Sequence, residues 1–455
     1  MSSPVESSSA APSSAAPSSA EPPFAEWGRG VVLSAARSGS GKTVVTIGLQ
    51  RALRRTGLRV AGAKAGPDYI DPAFHAAATG RPSINLDGFA MPPAVLATLA
   101  RRAGRDADIV VVEGAMGLFD GVAGGGGSTA AVARALGWPV ILVLDASGAA
   151  QSVAAVAHGL AAWPGGPPVA GAIVNRVASA RHGRMIAAGF VQTHVPLLGL
   201  LPRDERLALP ARHLGLVQAE ETRAIEARID GMADLIAAHV DLAAIRAAAC
   251  PMPAASGASL ALRPPGQRIA VARDRAFAFL YPHLLEAWRD AGAEIAVFSP
   301  LADEAPPPSC DVCWLPGGYP ELHAGPLSTN QNFLGGLRAF AETRPVHGEC
   351  GGYMVLGRAI EDADGVSHAM AGLLPLETSL AERRLHLGYR RATWRAAMPF
   401  AEAGETQVGH EFHYAGITAS AGEPIADVVD GEGNRLPPAG TRVGRVTGSF
   451  FHLVA

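Results

Sequence analysis

The residues with the most evident chemical potential lie in the second half of the chain. Gly348-Glu-Cys-Gly-Gly352 has the G-x-C-x-G pattern of a nucleophile elbow. Its glycines permit a tight strand-to-helix turn that lifts the Cys350 thiol over a helix N-terminus. That position is expected to lower the thiol pKa and favour the thiolate. A thiol nucleophile needs a base. His452, in Gly448-Ser-Phe-Phe-His-Leu453, is the first candidate, and His410 and His413 compete with it. Leu315-Pro-Gly-Gly-Tyr-Pro-Glu321 follows an apolar run and offers the backbone N–H groups of Gly317 and Gly318 to an oxyanion. Alone, this half reads as a cysteine amidase or peptidase.

The first half carries different chemistry. Ala36-Arg-Ser-Gly-Ser-Gly-Lys-Thr43 is a phosphate loop with Ala36 where the first glycine usually stands. Ser38, Gly39, Ser40 and Gly41 bring backbone N–H groups to phosphate, Lys42 reaches the terminal phosphates, and Thr43 suits magnesium. Glu113 ends the apolar run Asp108–Glu113, where a second magnesium ligand belongs. Gly114-Ala-Met-Gly-Leu-Phe-Asp-Gly121 follows as a glycine-rich loop, with Asp120 as a candidate. Asp68 and Asp71 stand three apart in Lys64-Ala-Gly-Pro-Asp-Tyr-Ile-Asp-Pro-Ala-Phe-His75. Near a triphosphate they suit metal or substrate positioning, and Asp71 before Pro72 equally suits a helix cap.

These residues need rigid elements behind them. Val31–Ala35, Asp108–Glu113, Pro139–Asp145 and Ala170–Asn175 are apolar runs separated by amphipathic, Ala- and Leu-rich stretches. Such strands predict a parallel sheet covered by helices on both faces. Residues 250–266 are rich in turn formers and predict a linker. The alternation then restarts, with strands at Arg268–Ala272 and Glu294–Phe298 and a helix at Ala276–Ala291. The expected organisation is a disordered tail over 1–26, a nucleotide-dependent domain over 27–249, the linker, and a second α/β domain over 267–455.

Composition narrows the class. Hydrophobic residues make up 48% and charged residues 17%, enough apolar material for two cores and too little charge for a mainly disordered chain. A net charge of -3 gives no support for nucleic-acid binding. No long apolar run predicts a membrane span, and the Ser-, Ala- and Pro-rich start lacks the features of a secretory signal. Four cysteines are too sparse for a disulfide scaffold, so a cytoplasmic setting is expected. Cys310 and Cys313 read as packing residues of a buried strand.

Taken together and in this order, the motifs resemble the cobyrinate or hydrogenobyrinate a,c-diamide synthases of corrin (vitamin B12) biosynthesis, over about residues 28–455. Gly66-Pro-Asp-Tyr-Ile-Asp-Pro72, Glu113-Gly-Ala-Met-Gly-Leu-Phe-Asp-Gly121 and the cysteine elbow carry the resemblance. It implies a dethiobiotin-synthetase-like P-loop domain joined to a class I glutamine amidotransferase-like domain. Cys350 with His452 would release ammonia from L-glutamine. ATP and magnesium would activate the a and c carboxylates as acyl phosphates for that ammonia to attack. The resemblance further implies Lys42 on phosphate and Thr43 and Glu113 on magnesium, with Asp68, Asp71 and Asp120 around metal, nucleotide or activated carboxylate. Tyr69 and Ile70 would face substrate, and a homodimer is possible. Phe74–Ser83 and His213–Gln218 look more like the branch acting on metal-free hydrogenobyrinate.

One departure matters. Many class I amidotransferases carry a Glu two residues after the catalytic histidine, and here that position is Val454. No third triad member is therefore assigned. Rival readings are amidation of a related tetrapyrrole such as nickel-sirohydrochlorin, a cobyric-acid-synthase-like amidase, and a ParA-like nucleotide switch. The switch would have no use for Cys350, His452 and an oxyanion loop.

Overall fold

The computed structural model describes residues 28–124, 126–204, 219–255, 257–258, 260 and 262–455. The expected tail and the His213–Gln218 stretch lie outside them. Among the described residues no helix is long and apolar enough to cross a membrane.

The first sheet is built from Arg29–Ala35 (β1), Val60–Ala65 (β2), Ile84–Leu86 (β3), Ile109–Glu113 (β4), Val140–Asp145 (β5), Val169–Val177 (β6), Leu197–Pro202 (β7) and Cys250–Pro251 (β8). Its order is β3-β2-β4-β1-β5-β6-β7, and β8 pairs with β1. β1 to β7 are mutually parallel, as runs apolar on both faces require. Val31–Leu33, Val110–Val112 and Ile141–Val143 are fully enclosed. Helix α1 (Lys42–Arg55) opens after the phosphate loop and helix α2 (Asp71–Thr79) after the Gly66–Asp68 bend. β8 is an antiparallel addition, so the first two residues of the expected linker belong to this sheet. Trp138 secures it by donating its indole N–H to the Pro251 carbonyl at 3.0 Å.

The second sheet contains Arg268–Ala272 (β9), Glu294–Phe298 (β10), Val312–Leu315 (β11), Val346–Glu349 (β12), Thr441–Val443 (β20) and Val446–Ser449 (β21), in the order β10-β9-β11-β12-β21-β20. Two smaller sheets flank it. One pairs Ala359–Glu361 (β13), Ser367–Ala369 (β14), Leu376–Ser379 (β15) and Gly416–Ser420 (β18). The other has the order β19-β16-β17-β22, from His386–Trp394 (β16), Thr406–His413 (β17), Ala426–Asp430 (β19) and His452–Leu453 (β22). Cys310 and Cys313 are buried as packing residues.

The helix expected over Ala276–Ala291 begins only at Pro282. Tyr281, immediately before the proline, is extended (φ -73°, ψ 127°), as proline demands of its predecessor. The preceding segment bridges to the oxyanion loop, with the Phe279 N–H donating to the Gly317 carbonyl at 2.9 Å.

The two halves share one apolar core. Val95, Leu96 and Leu99 of the first belong to the same buried cluster as Leu284, Leu285 and Trp288 of the second. Arg102 crosses the seam to Glu286 at 3.1 Å and also reaches Asp290. Burial across the seam disfavours independent motion of the halves.

Candidate active sites

The phosphate loop takes its shape from two left-handed residues, Gly39 (φ 79°) and Gly41 (φ 91°). Neither falls at Ala36, which explains why alanine is tolerated there. Asn175 supports the loop by donating to the Ser40 carbonyl at 3.1 Å. Lys42 donates to the Met116 carbonyl on the neighbouring glycine-rich loop. Burial and the Lys64 charge lower its pKa.

Parallel register then concentrates charge at the carboxyl edge of the sheet. Lys64 and Glu113 are direct register partners on β2 and β4. The Lys64 ammonium lies 3.0 Å from Glu113 Oε1 and also bonds Asp71. Thr43 donates to the same Oε1 at 2.6 Å, and His75 Nε2 lies 2.8 Å from Oε2. Burial alone would raise Glu113, but the Lys64 charge and the His75 ring outweigh it and hold the carboxyl below its usual range. Lys64 moves upward for the reciprocal reason: Glu113 and Asp71 overcome its desolvation. Asp71 is raised by burial and by Glu113, with Lys64 opposing.

The expected cap needs correction here. Asp71 is not the cap of α2. Asp68 builds that turn, its Oδ1 accepting from the Ile70 N–H at 2.7 Å and the Asp71 N–H at 3.0 Å. Asp120 shapes its own loop, Oδ2 accepting from the Gly117 N–H at 2.8 Å. Ile70 is half-buried. It packs against the cluster of Ile47, Phe74 and Met232. Tyr69 points into the second domain, stacked on Tyr281 with ring centroids 4.2 Å apart and on Phe279 at 4.9 Å. Lys64 and His75, the two ends of that motif, are site residues that the sequence pattern alone does not reveal.

In the second domain Cys350 sits between β12 and the helix Gly351–Leu356 with φ 46° and ψ -105°, strained for any residue with a Cβ. Two bonds fix the turn: the Cys350 N–H donates to the Ser449 carbonyl at 2.8 Å and the Gly352 N–H to the Pro316 carbonyl at 3.1 Å. The thiol itself points to the Phe412 carbonyl at 3.7 Å. The expected lowering of its pKa is not found. Burial pushes the thiol up, the Glu321 carboxylate adds to this, and the Gly351 N–H opposes it only in part.

Gly317 borders both candidate partners. A Cβ there would stand 2.4 Å from His452 Cε1 and 3.3 Å from Cys350 Cβ. His452 is fully buried, and burial with the neighbouring His410 and His413 pushes its pKa well down, so the resting ring is neutral. Nε2 has no hydrogen-bond partner among the described residues, while Nδ1 lies 3.2 Å from the Tyr69 hydroxyl. The competitors have partners of their own, although His410 Nδ1 has none among the described residues. His410, the register partner of His452, has Nε2 2.8 Å from the Tyr281 hydroxyl. His413 stacks on Phe450 at 3.7 Å, with Nδ1 2.9 Å from the Ala415 carbonyl. Glu349 does not reach the histidine. Its Oε1 accepts from the Leu453 N–H at 2.9 Å and so holds the strand bearing His452.

Residues 31–217 match the CobQ/CobB/MinD/ParA nucleotide binding domain family, and residues 268–455 match the CobB/CobQ-like glutamine amidotransferase domain family. Hydrogenobyrinate a,c-diamide synthase of Rhodobacter capsulatus is 56% identical, across 95% of this chain and 100% of that protein. The chain belongs to this family. Hydrogenobyrinate a,c-diamide synthases of Mesorhizobium japonicum (54% identical, 94% of this chain and 98% of that one) and Agrobacterium fabrum (52%, 94% and 99%) are similar over the same span. Membership makes this a glutamine-dependent, amide-forming ligase, with its nucleotide and amidotransferase domains in one chain.

Proposed function

We propose that the protein amidates the a and c carboxylates of hydrogenobyrinate, with ATP as activator and L-glutamine as nitrogen source. The names of its relatives support that substrate, and cobyrinate is the alternative that differs by its metal. The observation that carries the reading is the shared border of Cys350 and His452 on Gly317, within one chain that also pairs Thr43 with Glu113.

In the amidotransferase half, His452 takes the Cys350 proton as sulfur attacks the side-chain carbonyl carbon of glutamine. The developing oxyanion meets the backbone N–H groups of Gly317 and Gly318. Collapse releases ammonia and leaves a thioester, which water hydrolyses to glutamate and free thiol. The raised thiol and lowered imidazole support proton transfer in step with attack rather than a resting ion pair.

In the synthetase half, residues Ser38–Thr43 would cradle the phosphates, with Lys42 placed to leave the Met116 carbonyl for them. A substrate carboxylate displaces ADP from the γ-phosphorus of ATP. Ammonia then attacks the acyl carbon and phosphate leaves, giving the amide. Thr43 Oγ1 and Glu113 Oε1 form a two-oxygen edge that fits a hard cation. Magnesium, when bound, supplies charge neutralisation across the phosphate oxygens. Lys64 and Asp71 would hold the reacting carboxylate beside that edge.

Product analysis with hydrogenobyrinate and cobyrinate offered separately tests the substrate. Diamide formed from hydrogenobyrinate supports the reading, and diamide formed from cobyrinate alone rejects it in favour of the cobalt-containing substrate.

A further inference from the structure

The Val454 side chain has no polar atom to offer His452, yet His452 Nδ1 is not left without a partner. The group that meets it is the Tyr69 hydroxyl at 3.2 Å, from a residue 383 positions away in the synthetase half. We propose that Tyr69 is the positioning residue of His452, through which the loop at Gly66–Pro72 makes glutamine hydrolysis depend on the phosphate site. The inference rests on reading Cys350 and His452 as the glutaminase pair.

The Tyr69 ring is held rather than merely near. It lies almost parallel to Phe279, at an interplanar angle of 4°, and stacks on Tyr281 at 22°. Tyr281 in turn donates to the Pro67 carbonyl at 2.8 Å, so the amidotransferase half grips the same loop. A hydroxyl suits this place because it both donates and accepts. It can serve Nδ1 in either tautomer, and it can accept from the imidazolium formed once His452 takes a proton.

The other end of the loop is tied to phosphate chemistry. Asp68 Oδ1 clamps the Ile70 and Asp71 N–H groups, and Asn85 donates to the Gly66 carbonyl at 2.9 Å and the Asp68 carbonyl at 2.7 Å. Asp71, two residues beyond Tyr69, bonds Lys64. Lys64 meets Glu113 at 3.0 Å, and Glu113 meets Thr43 of the phosphate loop. A change in the charge shared by Thr43, Glu113 and Lys64 pulls on Asp71, and the clamped loop transmits it to Tyr69. Positioning energy of this kind acts on kcat through His452 and not on glutamine affinity.

Tyr69→Phe removes the hydroxyl and keeps the stacking. Glutamine hydrolysis by the full-length protein is measured with and without a non-hydrolysable ATP analogue, magnesium and hydrogenobyrinate. Ammonium-supported amidation is measured in parallel. The expected result is a fall in hydrolysis kcat of about tenfold or more, less than the roughly 10²–10⁴-fold carried by a group that itself transfers the proton. KM for glutamine stays unchanged, ammonium-supported amidation persists, and the wild-type response to the nucleotide analogue disappears. Full hydrolysis with failed ammonium-supported amidation would overturn the inference and make Tyr69 a synthetase-site residue. A wild-type hydrolysis rate indifferent to the analogue would overturn the coupling. Hydrolysis that survives Cys350→Ala would instead remove the underlying reading of the nucleophile.

Discussion

The Thr43 hydroxyl lies 2.6 Å from Glu113 Oε1, joining the first turn of the phosphate-loop helix to the end of the adjacent strand. Lys64, across the register from Glu113, and His75 complete the enclosure of that carboxylate. Glu113→Gln keeps the shape and removes the charge. Amidation is expected to fall by roughly 10²-fold or more, as when a group aimed at developing charge is lost. Glutamine hydrolysis without nucleotide is expected to continue, at a rate altered by the changed charge that reaches Tyr69 through Lys64 and Asp71. Parallel assays of glutamate and amide formation check this, and equal loss of both would contradict the separation of the two centres.

Cys350→Ser addresses the other centre. Glutamine-supported amidation should disappear while high ammonium restores product, because only the nitrogen supply is lost. Circular dichroism shows whether the variant is folded. A folded variant that ammonium cannot rescue would contradict the division of labour.

Gly317 tests the shared border directly. The added methyl of Gly317→Ala stands 2.4 Å from His452 Cε1, inside any real contact distance, so the imidazole must shift. Glutamine hydrolysis should drop on the order of 10²-fold, the cost of a small displacement of a reacting group. Ammonium-supported amidation should survive.

A pH dependence follows from Glu349. Burial pushes its pKa up to about 8 from an ordinary 4.5, against the opposing Leu453 N–H. The folded state thus binds this proton more tightly than the unfolded chain. The stability it contributes is complete below the unfolded pKa and declines as pH rises through about 8. Glu349→Gln keeps an acceptor for the Leu453 N–H and should flatten the loss of Tm across that window. An unchanged slope would place the titration elsewhere.

Local signals made much of this legible in the sequence. The phosphate loop, the strand ending at Glu113 and the elbow at Cys350 each announce themselves within a few residues. So do most strands, because buried parallel strands are continuous apolar runs. What stayed hidden is what depends on register or on the seam. Lys64 looks like the end of a strand until β2 is laid beside β4. Tyr69 reads as a substrate-facing residue until the halves pack and its ring meets Phe279 and Tyr281. The thiol shift depends on burial and on Glu321, neither visible from a G-x-C-x-G pattern. The late start of the helix at Pro282 was available, since proline forces Tyr281 out of helical conformation.

The most direct test of the account is to incubate the protein with ATP, magnesium, hydrogenobyrinate and glutamine labelled with nitrogen-15 in its side-chain amide, and to analyse the tetrapyrrole product by mass and NMR. The account predicts labelled amide nitrogen at both the a and c side chains, and none when Cys350→Ala replaces the wild type. Unlabelled amides formed by the wild type, or labelled amides formed by the cysteine variant, would contradict it.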